Sequence, residues 1–339
     1  MGCGMTLAQF LLILGGIGAL LVALAVQRRW KRPQSVARGL IVSYVIIVLA
    51  LAGGELYMRY GYADSRMEFG LHGSNWANKY MVKNSLGYRD REWTIDELVS
   101  RTTVFVLGDS FTEGWGLSNA ADRYTDVLQA HLGDDYAVVT LAHAGEATFH
   151  QTQNLLNYPY PSPDIVIWQY FLNDIEVAAQ SNGMEWDFEA PPEPQIARES
   201  YLASFIYWRA NYDKLFTNVH DGRSEWEFNY AAYDNAFIWD VHRQEIDRLI
   251  AEIEARGARL IVVIFPNMLD PVGSVPYVDR VAQEFEAQGI TEILKLTDEA
   301  AAWGLQERIV SNFDSHASVA FNQRVGDMLY EQFFKGRAE

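Results

Sequence analysis

Apolar residues along the chain fall into three patterns, and each predicts a different kind of element. Leu7 to Val26 is a run of twenty residues with no charge, and Gln9 is its only strongly polar member. At about 1.5 Å per residue, such a helix covers roughly the 30 Å hydrocarbon core of a bilayer. A second apolar run, Gly39 to Gly54, is expected to continue past Glu55 to Tyr57 as an interfacial turn. From residue 100 the runs shorten. Thr103–Leu107 and Tyr136–Leu141 are β-branched runs, and Asp164–Tyr170 and Arg259–Phe265 are continuous apolar runs, as strands buried on both faces should be. Between them, Ile246, Leu249, Ile250 and Ile253 recur at helical spacing and are closed by Arg256-Gly257. Val319 to Phe334 reads as a final helix.

Strands alternating with helices predict an α/β fold with a doubly wound, mostly parallel sheet, preceded by a two-helix transmembrane hairpin. The hairpin anchor is expected over 1–60 and the α/β domain over 61–339. Residues 178–238 interrupt the alternation as an insertion ahead of the fourth main strand. Fourteen aromatics fall within 184–239, including Trp186, Trp208, Trp226 and Trp239. They suit either a small core for the inserted helices or a surface that stacks on sugar rings or rests at the membrane interface.

Charge divides the chain in the same way. Gln27 to Arg38 carries five basic residues and no acid, so this loop is expected on the cytoplasmic side, with the N-terminus and the main domain outside. A cleaved signal peptide would carry its positive charge ahead of the apolar stretch, and Met1 to Gln9 has none. Residues 66–339 hold 21 basic and 42 acidic side chains out of totals of 27 and 44. That acidity argues against a nucleic-acid partner. The expected partners are the lipid bilayer, through residues 7–57, and an ester or glycan substrate. Gly15, Gly16, Gly18 and Ala19 make one helix face small enough for close contact, within the hairpin or with another integral membrane protein. A single cysteine excludes an intramolecular disulfide framework and a cysteine-based metal site.

In a doubly wound sheet the reactive crevice opens at the carboxyl ends of the strands. Gly108-Asp109-Ser110 follows the first strand, Ala142-His143-Ala144-Gly145 the second, and Leu172-Asn173-Asp174 the third; Asp314-Ser315-His316 precedes the last helix. Taken singly, Ser110 suits a helix N-cap and His316 a capping residue. Together, in this order, the four blocks resemble the SGNH (GDSL-type) hydrolases, over roughly residues 84–334. Asn84 to Asp90 also looks like the entry segment of membrane-anchored members.

The resemblance implies a flavodoxin-like three-layer sandwich in which Ser110 is the nucleophile, His316 the general base and Asp314 its orienting partner. The backbone N–H groups of Ser110 and Gly145 and the side-chain amide of Asn173 would form the oxyanion hole. It implies neither cofactor nor metal. It also implies a membrane-anchored serine esterase or acyltransferase acting on O-acyl, chiefly O-acetyl, esters of cell-envelope glycans. A catalytically idle assembly subunit of a membrane complex would use the same fold and hairpin. Phe171 stands where the family usually has glycine, which implies a narrower or differently shaped acyl pocket.

Overall fold

The computed structural model describes residues 5–65, 70–187 and 192–336. Their contacts form two compact units.

The first unit is built on two long helices. α1 is Leu7–Val26, as the apolar run predicts, and Thr6 and Gln9 cap it reciprocally, with the Gln9 N–H on Thr6 Oγ1 at 3.1 Å and the Thr6 N–H on Gln9 Oε1 at 3.0 Å. α2 is Lys31–Tyr60, far longer than its apolar run. The loop expected over 27–38 shrinks to Gln27–Trp30, so Lys31, Arg32 and Arg38 are helical. Pro33 does not prevent this, because it occupies the first turn, where backbone N–H groups have no intrahelical partner. Both helices are long and apolar enough to cross a membrane. Their apolar side chains face outward, with Leu12 76% and Leu49 66% exposed, unlike the helices of a soluble core. Of the small-residue face, Gly18 packs within the hairpin. A Cβ there would lie 2.9 Å from Tyr44 Oη, whose hydroxyl donates to the Leu14 carbonyl at 2.6 Å.

Residues 192–217 of the insertion belong to this unit. The Glu55 carboxylate accepts from Ser200 Oγ at 2.7 Å and from the Tyr201 and Leu202 N–H groups at 3.1 and 3.0 Å, so α2 caps the helix Tyr201–Asn211. The Glu199 carboxylate in turn accepts the Leu7 N–H at the start of α1, at 2.8 Å. Phe205 packs edge-on against Tyr62 and His72.

The second unit, residues 79–187 and 218–336, is an α/β domain. Its parallel strands are β1 (Thr102–Gly108), β2 (Tyr136–Ala142), β3 (Ile165–Phe171), β4 (Arg259–Phe265) and the short β5 (Ile293–Lys295), in the order β2-β1-β3-β4-β5. This is the doubly wound, flavodoxin-like order. Alternation along each strand feeds two cores. Phe105, Leu107, Val139 and Trp168 meet Ile246, Leu249 and Phe285 on one face, and Val104, Val106 and Ile167 meet Phe321 and Val325 on the other. Trp186 and Trp226 of the insertion pack on this domain, so its aromatics are shared between the two units. The insertion leaves and returns through a closed neck, where the Val219 N–H meets the Asp187 carbonyl at 2.9 Å and the Asp187 N–H meets Asn218 Oδ1 at 3.3 Å.

Asp314 and His316 lie in a strand rather than the expected loop. β6 (Ile309–Ser311) and β7 (Asp314–Ala317) form an antiparallel ribbon with Ser311 opposite Asp314. Side chains two apart on a strand share a face. The Asp-x-His spacing is therefore what turns both groups the same way.

Candidate active site

β1 enters a tight turn at its carboxyl end. A Cβ at Gly108 would run into Thr112 Oγ1 and Gln169 Oε1, so only glycine fits. Buried Asp109 caps the short helix Ser110–Glu113 by accepting the Phe111 N–H at 2.9 Å, and Gly114 (φ 77°) ends it. Burial pushes the Asp109 carboxyl up to about 6. The N-cap expected of this segment is thus Asp109, which leaves the Ser110 hydroxyl free to face the crevice.

There Ser110 Oγ lies 2.8 Å from His316 Nε2, and His316 Nδ1 lies 2.6 Å from Asp314 Oδ1. The same oxygen accepts the His316 backbone N–H at 3.1 Å. An ionised carboxylate only accepts, so the proton sits on Nδ1 and Nε2 is left to accept from the serine hydroxyl. Gly116 (φ 83°) lets the backbone close on the carboxylate, since a Cβ there would stand 2.9 Å from Asp314 Oδ2. Phe111 covers the imidazole at 5.2 Å between ring centres.

Strand order brings the other two blocks to the same rim. β1 lies between β2 and β3, with Gly108 opposite Ala142 and Leu107 opposite Trp168. The turns carrying Gly145 and Asn173 therefore flank the turn carrying Ser110. Gly145 sits at φ 79°, in a loop pinned from both ends. The Ala144 N–H donates to Glu113 Oε2 at 2.7 Å, and buried Glu113 pairs with Lys83 at 3.0 Å. Glu146 accepts the His143 N–H at 3.1 Å and Asn154 Nδ2 at 2.6 Å. His143 belongs to this scaffold: it packs on Tyr88 at 4.8 Å between ring centres, bonds Glu146 at 3.0 Å, and is held more basic than usual chiefly by that bond.

Asn173 follows β3 and is half-buried, and its neighbour Asp174 fixes the turn by accepting the Phe171 N–H and Gln151 Nε2, both at 2.9 Å. Burial first, and then the charge of Asp109, push Asp174 well above the usual carboxylate range. Phe171 packs on Phe111, the residue after Ser110, at 4.5 Å between ring centres. Glu113 carries no sequence signal, because its partners Lys83 and Ala144 lie in other segments. Among the described residues no cluster of three or more His, Cys, Asp or Glu could hold a metal ion.

The model of the GDSL-like lipase/acylhydrolase family matches residues 106–298. The chain belongs to this family. Its GDSL domain has several solved structural neighbours. The structure of TesA shares 16% identity and covers 68% of this chain and 96% of its own, with a TM-score of 0.40. Psychrotrophic esterase EstA from Pseudoalteromonas sp. shares 14%, covering 68% and 95%, with a TM-score of 0.39. A carbohydrate acetylesterase family member from Sinorhizobium meliloti shares 14%, covering 68% and 96%, with a TM-score of 0.37. A comparison with curated proteins finds no match. Membership of the GDSL family supports carboxylic ester hydrolase activity. The matched segment ends before Asp314 and His316, so their placement rests on the geometry above.

Proposed function

We propose that this chain is a membrane-anchored serine hydrolase of O-acyl esters, O-acetyl esters of envelope glycans above all, that releases the acyl group to water or passes it to a sugar hydroxyl. The observation that carries this reading is the continuous chain Ser110 Oγ–His316 Nε2 and His316 Nδ1–Asp314 Oδ1 at 2.8 and 2.6 Å. His316 takes the hydroxyl proton as Ser110 Oγ attacks the ester carbonyl carbon. Asp314 holds the imidazole in the accepting tautomer and stabilises the imidazolium that forms. The backbone N–H groups of Ser110 and Gly145 and the Asn173 amide receive the developing oxyanion; one such donor is worth roughly 2.7–4 kcal/mol. The tetrahedral intermediate collapses, its alcohol leaves with the proton held on Nε2, and an acyl-serine remains. Water or a sugar hydroxyl, deprotonated by His316, then attacks the acyl-serine, and collapse of the second tetrahedral intermediate expels Ser110 Oγ, which regains the proton from Nε2.

The two outward-apolar helices support anchoring in a bilayer, and the basic residues between 28 and 38 support a cytoplasmic turn with the hydrolase domain on the outer face. The hydrogen-bonded chain from Ser110 to Asp314 supports an active enzyme over the idle-subunit reading. The test is labelling of the full-length, detergent-solubilised protein with a fluorophosphonate, beside turnover of 4-nitrophenyl acetate. Labelling and turnover are expected in the parent and lost in Ser110→Ala. Equal turnover in both would defeat the assignment.

A further inference from the structure

A second cluster lies at the same rim and is not used by the chemistry above. Glu176 stands one turn beyond Asn173, its N–H bonded to the Asn173 carbonyl at 2.9 Å. Glu225 is the charged neighbour that acts on it most strongly. Asn229, fully buried, turns its amide toward Glu176, yet neither amide atom completes a hydrogen bond among the described residues. Beside this polar group runs a file of half-buried rings. Trp226 meets Phe171 edge-on at 5.5 Å, Tyr230 follows at 5.8 Å, and Tyr277 stacks on Tyr230 at 4.2 Å and 3°. Trp226 packs against the cores on both faces of the sheet, which places it over the carboxyl ends of the strands. Phe171 in turn touches Phe111, the residue after Ser110.

We propose that this rim is a sugar subsite in which a neutral glycosyl ring lies on Trp226 and Tyr230 while Glu176, Glu225 and Asn229 bond its hydroxyls. Aromatic faces suit the C–H side of a sugar ring, and carboxyl and amide groups both accept and donate to vicinal hydroxyls. An unpaired buried amide is costly, and a ligand hydroxyl would satisfy it. The charge of Glu225 in an acidic domain disfavours uronate or phosphate sugars, so the preferred ester is borne by an uncharged glycan. Burial, followed by the charge of Glu225, pushes Glu176 up to about 8, which leaves it able to donate near neutrality.

This inference rests on the esterase reading and is separable from it. The experiment compares turnover of 4-nitrophenyl acetate with that of a panel of neutral O-acetylated gluco-, manno- and xylo-oligosaccharides. The parent, Trp226→Ala, Glu225→Gln and Ser110→Ala are assayed as full-length protein, with melting curves as the folding control. The expected result is that Trp226→Ala and Glu225→Gln lower kcat/KM on the sugar esters about tenfold more than on 4-nitrophenyl acetate, mainly through KM. Equal proportional losses on both esters overturn the subsite, as does a parent that hydrolyses 4-nitrophenyl acetate but no member of the panel. If Trp226→Ala fails to fold, Glu225→Gln decides. Ser110→Ala activity equal to the parent's sinks the esterase reading itself, whatever the other variants do.

Discussion

The Glu113 carboxylate, one turn beyond Ser110, accepts the Ala144 N–H at 2.7 Å. The short helix that carries the hydroxyl therefore also holds the loop that presents the Gly145 N–H. Ser110 and the turn carrying Gly145 are thus registered by one side chain, and Lys83 balances its charge at 3.0 Å. Glu113→Ala is expected to lower kcat on 4-nitrophenyl acetate by about 10- to 100-fold, because small misplacements of preorganised donors are costly. KM should change far less. Glu113→Gln keeps an oxygen for Ala144 and should recover most of the rate. A Gln variant as slow as the Ala variant would show that the hydrogen bond to the loop is not what matters.

Asp314→Asn tests the tautomer argument. Asn can donate toward Nδ1, which would place the proton on Nε2, where it cannot accept from Ser110. The expected loss in kcat is on the order of 10³–10⁴ with the fold intact. Steady-state kinetics on variants with matched melting curves check it, and a loss below tenfold would remove Asp314 from the mechanism.

The raised Glu176 carboxyl has a stability signature. Its ordinary value is 4.5, and burial with Glu225 and Asp109 nearby pushes it up to about 8 in the folded chain. The folded state therefore binds this proton more tightly than the unfolded state. Its contribution is complete below about pH 4.5 and is lost as pH rises through 8. Denaturation midpoints of Glu176→Gln should accordingly fall less than those of the parent between pH 6 and 8. Parallel curves would refute the shift.

Three features were legible in the sequence for physical reasons. An uncharged twenty-residue run has one economical conformation in lipid, and α1 keeps its bounds. Runs such as Arg259–Phe265 are apolar on both faces, which only a covered parallel strand tolerates. The polar residues after those strands needed only the sheet topology to converge. What escaped was set by contacts between distant segments. β5 is three residues long and has no pattern of its own. β7 exists only because β6 pairs with it, so Asp314-Ser315-His316 reads as a loop when seen alone. The division of the insertion follows from Glu55 and Glu199, whose partners lie 145 to 192 residues away.

The neck at Asp187 and Asn218 makes a soluble enzyme possible. Removing 1–78 alone would strip the helix Tyr201–Asn211 of its Glu55 cap and its packing partners Tyr62 and His72. That truncation is expected to aggregate. Joining Asp187 to Asn218 through a short Gly-Ser link as well should give a monomer that retains 4-nitrophenyl acetate turnover, because those residues already touch at 3.3 Å. Gel filtration and activity of the two truncations decide between them.

The same connectivity bears on limited proteolysis. The backbone passes between the two units three times, at 78–79, 187–188 and 217–218. A protease that nicks the stretch after Tyr60 severs only the first of these, and residues 192–217 still grip the stump through Glu55 and Glu199. One cut should therefore leave the α/β domain held to the two apolar helices without a covalent link to them.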